Sequence, residues 1–225
     1  MPEEVAVIVS AYNEEARIAH VLRAITNAET PTEVIVVSDG STDRTADAAR
    51  RFKGVRVVEL PVNRGKGAAM SAGVEATRAT VVAFVDADLE GLLPAHVDSI
   101  IRPILANQCD MCVGIFRGGK VWSDTAQRIS PYLSGQRAMR RDFFASVPYL
   151  AELRMGVEVA LNTAAKRRRA RVMRVVLPGV SNYFKEKKLG LVKGTSARAQ
   201  MYFEIGQAMV RTRKRRPPGR WRKKK

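Results

Sequence analysis

Residues 81–90 read Val-Val-Ala-Phe-Val-Asp-Ala-Asp-Leu-Glu, and this stretch decides the fold. Its first five residues are apolar and mostly β-branched or aromatic, as in a strand buried on both faces of a parallel sheet. The apolar run ends at three acidic residues, Asp86, Asp88 and Glu90. In an open α/β sheet, ligands bind beyond the carboxyl ends of the strands. The stretch therefore predicts a central strand that delivers carboxylates to a ligand site.

The spacing of these carboxylates predicts a divalent metal. Carboxylates this close repel one another unless a cation or protons neutralise them. Mg²⁺ and Mn²⁺ take oxygen ligands and commonly share them with substrate phosphates. We therefore interpret Asp86, Asp88 and Glu90 as ligands of Mg²⁺ or Mn²⁺ that carries a nucleotide diphosphate. The alternative is a solvated acidic turn, which would be the better interpretation if Asp-x-Asp stood alone.

Strands and helices alternate along the first half of the chain. Strands are predicted over 5–10, 33–38 and 55–60, and a helical pattern follows each of them before the strand that begins at Val81. Short βαβ units have right-handed crossovers and give a mainly parallel sheet. We therefore predict an α/β fold with a mainly parallel central sheet flanked by helices.

The loops that follow these strands are polar and acidic. Because parallel strands end at one edge of a sheet, their loops should meet there. The residues expected at this edge are Tyr12, Glu14, Asp39, Lys66, Asp86 and Asp88. The three-glycine dinucleotide fingerprint is missing after the first strand, and the chain has no P-loop Gly-Lys-Ser/Thr. A nucleotide is therefore expected to bind through carboxylates and a metal, without a glycine-rich cradle.

The second half of the chain is less regular. Its predicted elements are a helix at 94–106, a strand at 110–116, a helix that opens at Gly156 and a strand at 170–177. A chain of 225 residues is long enough for one sizeable α/β domain or at most two small ones. We assign this domain to residues 1–193, an amphipathic helix to 194–212 and a basic, disordered tail to 213–225.

The net charge is +17, and the basic residues are unevenly distributed. Residues 211–225 contain ten Lys or Arg and no acid, and 166–169 form a second basic run. Such runs are typical of proteins with a polyanionic partner, either nucleic acid or an anionic membrane surface. The apolar side chains of the predicted last helix favour a peripheral contact with a membrane. A helix packed on its own domain and a solvated tail are the alternatives.

Several features of the sequence favour a cytoplasmic protein. The chain begins Met-Pro-Glu-Glu and enters a strand at once, so no signal peptide is expected. No run of eighteen apolar residues predicts a spanning helix. Cys109 and Cys112 have no second pair to complete a zinc site, so both are expected to be reduced and in or beside a strand. We expect a cytoplasmic protein whose basic C-terminus allows a peripheral position on the inner face of the membrane.

Five stretches occur in the order that is typical of one enzyme family. They are Val-Ile-Val-Ser-Ala-Tyr-Asn-Glu-Glu, Val-Ser-Asp-Gly-Ser-Thr-Asp-Arg-Thr, Asn-Arg-Gly-Lys-Gly, Phe-Val-Asp-Ala-Asp-Leu and Ser-Gly-Gln-Arg-Ala. Together they resemble the inverting family 2 glycosyltransferases with a GT-A fold, most of all the polyprenyl-phosphate (dolichyl-phosphate mannose or glucose) synthase branch. The resemblance implies metal-dependent transfer of a sugar from a UDP- or GDP-linked donor to a polyprenyl phosphate or another lipid-linked phosphate.

The resemblance also implies roles at the matching positions. Tyr12 would lie against the nucleobase, Glu14 near the ribose, and Asp39 would accept a hydrogen bond from a base N–H. The full set of implied donor-binding residues is Ala11, Tyr12, Glu14, Asp39, Gly40, Lys66, Asp86 and Ala87. The implied metal ligands are Asp86, Asp88 and Glu90. The sequence departs from the family at Ser10, where Pro is usual, and at Glu90, where this branch often has Gln.

The acceptor's charge decides what the protein must supply. A phosphate acceptor is already ionised near neutral pH and needs only positioning by Arg or Lys. The resemblance puts Arg117 and Arg137 near the acceptor, and Arg140 and Arg141 suit the same task. A hydroxyl acceptor would need a base, for which Glu158 is the best candidate unless it is merely a charge at a helix N-terminus. The expected catalytic residues are Asp88, Arg117, Arg137 and Glu158. Transfer to a sugar or small-molecule hydroxyl is therefore the alternative function.

A third hypothesis comes from the charge alone. A basic protein with an inactive transferase-like core could bind nucleic acid. The acidic edge residues argue against this hypothesis, because a polyanion binder gains nothing from Asp39, Asp86 and Asp88. The expected partners are therefore a nucleotide-sugar donor and a phosphate-bearing or lipid acceptor, and nucleic acid is not expected.

Overall fold

A computed structural model of the chain describes residues 3–117 and 134–182. The strands are β1 (Val5–Ala11), β2 (Glu33–Asp39), β3 (Val55–Leu60), β4 (Val81–Asp86), β5 (Leu89–Glu90), β6 (Met111–Arg117), β7 (Arg137–Arg140), β8 (Val172–Pro178) and β9 (Ser181–Asn182). The helices are α1 (Ile18–Thr26), α2 (Thr45–Arg50), α3 (Lys66–Glu75), α4 (Pro94–Leu105), α5 (Arg141–Ala145) and α6 (Val157–Arg167), and a 3₁₀ turn lies at Leu150–Glu152.

Seven of these strands form one sheet in the order β3-β2-β1-β4-β7-β6-β8. All neighbours in this sheet are parallel except the two pairs that involve β7. A separate small sheet pairs β5 with β9 in antiparallel register. Helices cover both faces, as parallel strands require because each crossover must pass over one face. The predicted α/β fold with a mainly parallel central sheet is confirmed.

The core has two layers, one on each face of the sheet. Side chains alternate along β1, so Val7 and Val9 pack with α1 and α4, whereas Ile8 packs with α3 and α6. In β4 the five residues before Asp86 are all buried, as the opening stretch of sequence predicts. Burying each large aliphatic side chain stabilises the fold by roughly 1.5–3 kcal/mol.

The sequence does not indicate β7. Its four residues, Arg-Ala-Met-Arg, are all buried between β4 and β6. This strand could not be predicted because two of its four residues are arginines, whereas a buried strand is normally recognised by a run of apolar residues. The four elements that the sequence did predict in the second half, α4, β6, the start of α6 and β8, lie within two residues of the predicted bounds. The short elements α5, the 3₁₀ turn and β9 were not predicted.

Two further predictions concern the cysteines and the C-terminus. Cys109 and Cys112 are both free and buried, and Cys112 lies in β6, as expected. Among the described residues, no helix has the length and apolar character needed to cross a membrane. The predicted helix at 194–212 and the basic tail at 213–225 lie outside the described residues.

Candidate active site

The carboxyl ends of β2, β1 and β4 are neighbours in the sheet, so their loops meet at one edge. Asp39 ends β2, Ala11 ends β1 and Asp86 ends β4. The register pairs Ser10 with Asp86, which puts the two strand ends at the same level. The structure thus brings together the strand-end residues that the sequence placed at one edge.

Lys66 is the centre of an ionic cluster at this edge. Its Nζ lies 2.6 Å from Asp86 Oδ1 and 2.6 Å from Glu158 Oε1. The side chains of Lys66 and Asp86 are only 21% and 22% exposed. Burial alone lowers the pKa of Lys66, but the attraction of Asp86 and then of Glu158 outweighs burial and raises this pKa. Lys66 therefore stays charged near neutral pH and holds the two carboxylates together.

Asp86 is ionised as well. Burial by itself raises the pKa of Asp86, but the charge and hydrogen bond of Lys66 and the hydrogen bond of Gln136 lower it below its usual value. Glu158 lies in the first turn of α6 and is buried. The structure therefore gives Glu158 both a place at a helix N-terminus and a lysine partner.

The second oxygen of Asp86 is held by the segment at 134–137. Gln136 Nε2 donates to Asp86 Oδ2 at 2.9 Å, and Ser134 Oγ donates to Gln136 Oε1 at 3.0 Å. Both side chains are buried. Gly135 allows this close approach, because a Cβ there would lie 2.2 Å from Asp86 Oδ2 and 2.6 Å from Lys66 Nζ. The Ser-Gly-Gln-Arg stretch thus positions Asp86, a role that sequence reasoning missed.

Asp39 braces the loop that leads into α3. Its two carboxylate oxygens accept hydrogen bonds from the backbone N–H groups of Arg64 at 2.8 Å and Gly65 at 2.7 Å. Asp39 is 4% exposed. Each carboxylate oxygen keeps a further lone pair. The predicted contact between Asp39 and a nucleobase therefore stays a prediction, now for a carboxylate with a second, structural task.

The start of α3 is closed by backbone from the turn before α6. The N–H groups of Lys66 and Gly67 donate to the carbonyls of Arg154 and Leu153, each at 2.9 Å. A Cβ at Gly65 would lie 2.4 Å from the Arg154 Cα. The first backbone N–H groups of α3 therefore donate within the protein. A ligand can contact this end of α3 through the Lys66 side chain. The paired glycines of Asn-Arg-Gly-Lys-Gly are the sequence signal for this close approach.

The loops after β1 and β2 brace each other. Asn13 Oδ1 accepts a hydrogen bond from the Thr42 backbone N–H at 2.8 Å, and the Glu15 backbone N–H donates to Asp43 Oδ2 at 3.1 Å. Gly40 has φ +64°, and a Cβ there would collide with the backbone of Asn63 at 2.3 Å. The Asp-Gly-Ser-Thr-Asp turn therefore fixes the shape of the edge.

Between these braces, Tyr12 and Glu14 have different surroundings. Tyr12 is 45% exposed and open to a ligand, whereas Ala11 before it is buried. Glu14 is buried, accepts a hydrogen bond from Arg17 Nη1 at 2.8 Å, and its backbone N–H donates to Thr45 Oγ1. The predicted contact of Glu14 with a ribose therefore stays a prediction for a carboxylate that is already paired.

The acidic residues after β4 do not form a ready-made metal cage. Ala87 and Asp88 make a turn, in which Ala87 is buried and Asp88 half-buried. Glu90 lies in β5 and lines a cleft of about 460 Å³ with Arg17 and His20. Among residues 3–117 and 134–182, no three His, Cys, Asp or Glu side chains are grouped to hold a metal. A metal at this turn would therefore need ligands beyond the described side chains, and substrate phosphates commonly supply them for Mg²⁺.

The predicted acceptor arginines occupy different places. Arg137 is fully buried at the start of β7, where it donates to the Ser134 carbonyl and lies 3.4 Å from Asn162 Oδ1. Its guanidinium thus connects the 134–137 segment to α6. Arg117 ends β6, and its side chain lies outside the described part of the structure.

The expectation that Arg140 and Arg141 position an acceptor phosphate is wrong. Because β7 runs antiparallel to β4, its register pairs Arg137 with Phe84 and Arg140 with Val81. Arg140 therefore lies at the edge of the sheet opposite Asp86, where it pairs with Glu3. The Arg141 N–H donates to the Thr80 carbonyl at that same edge.

Curated proteins with related sequences are glycosyltransferases. A 4,4'-diaponeurosporenoate glycosyltransferase of Staphylococcus aureus (strain bovine RF122 / ET3-1) is 38% identical over 105 residues, or 44% of this chain and 28% of the relative. A dodecaprenyl-phosphate galacturonate synthase of Rhizobium johnstonii is 32% identical over 120 residues, or 49% of this chain and 35% of the relative. The chain thus spans about a third of the length of these relatives.

A solved structure covers almost the whole chain. Glucosyl-3-phosphoglycerate synthase from Mycobacterium tuberculosis, crystallised with Mn²⁺, UDP and glucosyl-3-phosphoglycerate, superposes with a TM-score of 0.75 at 26% identity. The match covers 93% of this chain and 80% of that chain. The fold is therefore the GT-A fold that the resemblance implied.

The family comparison covers the strands and the site together. The model for "Glycosyl transferase family 2" matches residues 6–170, which run from β1 past α6 and include every residue of the ionic cluster. The match exceeds half of the chain by a wide margin. This chain therefore belongs to glycosyl transferase family 2.

Proposed function

We propose that the protein transfers a sugar, with inversion, from a UDP- or GDP-linked donor to an anionic acceptor, in the presence of a divalent metal. A polyprenyl phosphate or another lipid-linked phosphate is the acceptor class that we favour. The observation that carries the proposal is the Asp86–Lys66–Glu158 cluster, next to the Asp88 turn and at the carboxyl edge that Asp39 shares. Open α/β sheets bind nucleotides at such an edge.

The donor would lie along this edge from β2 to β4. The exposed ring of Tyr12 offers an apolar face to the nucleobase. Asp39 would use the lone pairs that the Arg64 and Gly65 amides leave free. The fixed charge of Lys66 would attract the diphosphate and stabilise the negative charge that develops on it. Ala11, Gly40 and Ala87 would line the donor through their backbone.

The metal would be held by Asp88, with Asp86 or Glu90, and by the donor's phosphates. One or two carboxylates plus substrate phosphates are the usual ligands of Mg²⁺ in proteins, which agrees with a half-buried Asp88 at a turn. When bound, the metal supplies charge stabilisation to the leaving diphosphate. Further support comes from the M. tuberculosis synthase, which was crystallised with Mn²⁺ and UDP and also with Mg²⁺ and UDP.

The ion pair between Glu158 and Lys66 favours an anionic acceptor. Glu158 Oε1 is held by Lys66, which also holds Asp86, so a proton from an acceptor hydroxyl would have to go to the other Glu158 oxygen or displace Lys66. An ionised acceptor oxygen needs no base, and it would displace the nucleoside diphosphate directly from the opposite face of the sugar, which gives inversion. Two relatives support this choice, because their names contain a polyprenyl phosphate and a carboxylate. Phosphoglycerate, in the name of the M. tuberculosis synthase, has both a hydroxyl and anionic oxygens and does not distinguish the two acceptor classes.

The proposal is tested by replacing Asp88. Asp88→Asn should lower turnover on the order of a thousandfold, because the metal loses a ligand at the point where charge develops. Asp47→Asn is the matched control, since Asp47 is an exposed acid of α2 that pairs with Arg50. Transfer is measured from labelled UDP- and GDP-sugars, with Mn²⁺, to a polyprenyl phosphate or to 3-phosphoglycerate. Equal turnover of Asp88→Asn and the parent would refute the site.

The alternative acceptor, a sugar or small-molecule hydroxyl, is tested at Glu158. Glu158→Gln keeps the size of the side chain but removes the base. Transfer to a hydroxyl should then fall by about a hundredfold or more, while transfer to a phosphate should change far less. A hydroxyl acceptor that works equally well with both proteins would argue against Glu158 as the base.

A further inference from the structure

We propose that the outer face of β8 and the end of α6 bind an anionic lipid bilayer. This β8 surface is defined by its exposed residues, Lys166, Arg167, Arg169, Arg171, Val172, Arg174 and Val176. The proposal deepens the proposed function, on which it rests for the lipid-linked acceptor. It concerns a surface apart from the predicted basic tail at 213–225.

The stretch that forms this surface carries only positive charge. Residues 166–176 contain six basic residues and no acid. Arg168 is buried, with its guanidinium on Ser146 and 6.0 Å from the centre of the Phe143 ring, and the other five are exposed. The Arg171 side chain pairs with Asp110 at 3.0 Å. The surface therefore keeps a strong excess of positive charge.

The opposite edge of the sheet shows what a balanced surface looks like in this protein. Beside β3, Arg50 pairs with Asp47 and Glu59. Arg56, in β3 itself, lies 3.7 Å from Glu33. The stretch at 47–59, beside that edge, contains four basic and two acidic residues, whereas the stretch at 166–176 contains six basic residues and no acid. The charge of the β8 surface is a local feature of the fold, beyond the basic composition of the chain.

Apolar side chains on the same face favour a membrane over nucleic acid. Val172, Arg174 and Val176 lie on the outer face of β8, the end strand of the seven-stranded sheet, and the two valines are 43% and 38% exposed. Cations that alternate with apolar groups match the boundary between anionic headgroups and acyl chains. Single-stranded nucleic acid would instead be expected to meet exposed aromatic rings. Among the described residues, the exposed aromatic side chain is Tyr12, at the end of β1.

The topology connects this surface to the active site. The β6 partners of Val172 and Arg174 are Met111 and Val113, which belong to the core layer under α6. The valines and α6 therefore lie on one side of the sheet, the side that carries Lys66 and Glu158. β8 is parallel to β4 and three strands away, or roughly 14 Å at a spacing of about 4.8 Å. The register places Val172 level with Val82, near the edge opposite Asp86, so the cations at 166–171 would hold that far end of the sheet on the bilayer. The carboxyl end of β8 would then bring the active-site edge toward the headgroups.

The experiment localises binding with hydrogen–deuterium exchange, without donor or metal. Phosphatidylcholine vesicles that contain phosphatidylglycerol should slow exchange at 166–178, and vesicles of phosphatidylcholine alone should not. Lys166→Gln/Arg169→Asn should weaken vesicle binding by about fivefold for each cation removed. Asn suits position 169, where φ is +52°. Arg23→Gln/Arg51→Gln, which removes two exposed cations elsewhere, is the matched control and should bind like the parent.

A second variant tests the apolar contribution. Val172→Thr/Val176→Thr keeps β-branched side chains and should weaken the binding that persists at high salt, where attraction between charges is screened. Equal binding by this variant and the parent at high salt would leave the valines without a role and would contradict an inserted β8 face.

Three results would overturn the proposal. Unchanged affinity of Lys166→Gln/Arg169→Asn would assign vesicle binding to another part of the chain. Equal exchange at 166–178 with and without phosphatidylglycerol vesicles, in a sample that binds them, would place the contact on another surface. Protection by an oligonucleotide but not by vesicles would assign it to nucleic acid. Vesicle binding without any sugar transfer would instead refute the proposed function and leave the surface intact.

Discussion

Asp39 and Asp86 end neighbouring parts of the same sheet edge, and the protein neutralises them in different ways. Asp39 is held by two backbone N–H groups, at 2.7 and 2.8 Å. Asp86 is held by two side chains, Lys66 at 2.6 Å and Gln136 at 2.9 Å. Both carboxylates are thus satisfied before any ligand arrives.

Because their partners differ, Asp39 has a structural role, whereas Asp86 has partners that can exchange. Backbone amides are fixed by the fold, so Asp39 holds the loop into α3 whatever the neighbouring side chains are. Side chains can move to new partners, so Lys66 can shift from Asp86 toward a diphosphate while the fold stays intact. We therefore expect substitutions around Asp86 to alter charge balance, stability and chemistry together, and substitutions of Asp39 to release the loop into α3 and to weaken donor binding.

Lys66→Met should have the largest effect on stability and activity of the variants considered. It leaves Asp86 and Glu158 buried together without their shared cation, and removing one partner of a buried ion pair costs about 3 kcal/mol. We expect that loss in the free energy of unfolding at pH 7, measured with urea, together with loss of transfer. Adding Glu158→Gln should restore about half of the lost stability. Wild-type stability of the single variant would contradict the central place of Lys66.

Gly135→Ala tests the Asp86 side without changing a charge. The new Cβ would displace the Asp86–Lys66 pair, and a shift of about 1 Å in a site can lower kcat/KM by roughly a hundredfold. Gly54→Ala is the control, because its Cβ meets no atom within 4 Å although φ is +80°. That variant should lose about 1 kcal/mol of stability and keep its activity. Full activity of Gly135→Ala would show that the pair tolerates displacement.

Asp39→Ala tests the brace. It leaves the N–H groups of Arg64 and Gly65 without their acceptor, which costs about 2 kcal/mol in the free energy of unfolding. Asp39→Asn keeps one acceptor and should lose about half of that amount. Thermal unfolding of the two variants measures the difference. Equal stability of Asp39→Ala and the parent would mean that water satisfies both amides.

Asp98 is a third carboxylate held by hydrogen bonds, and it lies far from the site. Its carboxylate accepts the Thr30 N–H at 2.9 Å, the Thr30 hydroxyl at 2.7 Å and the Glu29 N–H at 3.1 Å. Burial by itself raises the pKa of Asp98, but these hydrogen bonds, chiefly with Thr30, lower it below its ordinary value of 3.8. Because the folded-state pKa is the lower one, this stabilisation is present above the unfolded-state pKa and is lost as the pH falls through the folded-state value.

The expected result for Asp98→Asn is therefore a small effect with a definite sign. The variant should lose about 1 kcal/mol at pH 7, and the difference from the parent should shrink below about pH 4. Urea unfolding between neutral and acid pH measures it. A difference that is constant over that range would mean that the Asp98 charge contributes nothing.

Much of the site could be predicted because its carboxylates follow the strands. The apolar runs before Asp39 and Asp86 indicate buried strands, and their order along the chain indicates a parallel sheet. What these residues contact could not be predicted. Gln136 and Arg154 lie far along the chain from Asp86 and Lys66, and no local pattern of sequence pairs residues at such separations. The arginines after Gln136 show the same limit, since the direction of β7 decides which end of the sheet each reaches.

The α/β class, the parallel half of the sheet and the acidic edge are thus readable from the sequence, because hydrophobic periodicity and turn chemistry are local properties. Tertiary structure alone decided that Lys66 joins Asp86 to Glu158, that Gly135 must lack a side chain and that Arg140 lies at the far edge. Each of those facts depends on how distant segments pack, and packing sets the burial and the charge balance that a linear pattern does not contain.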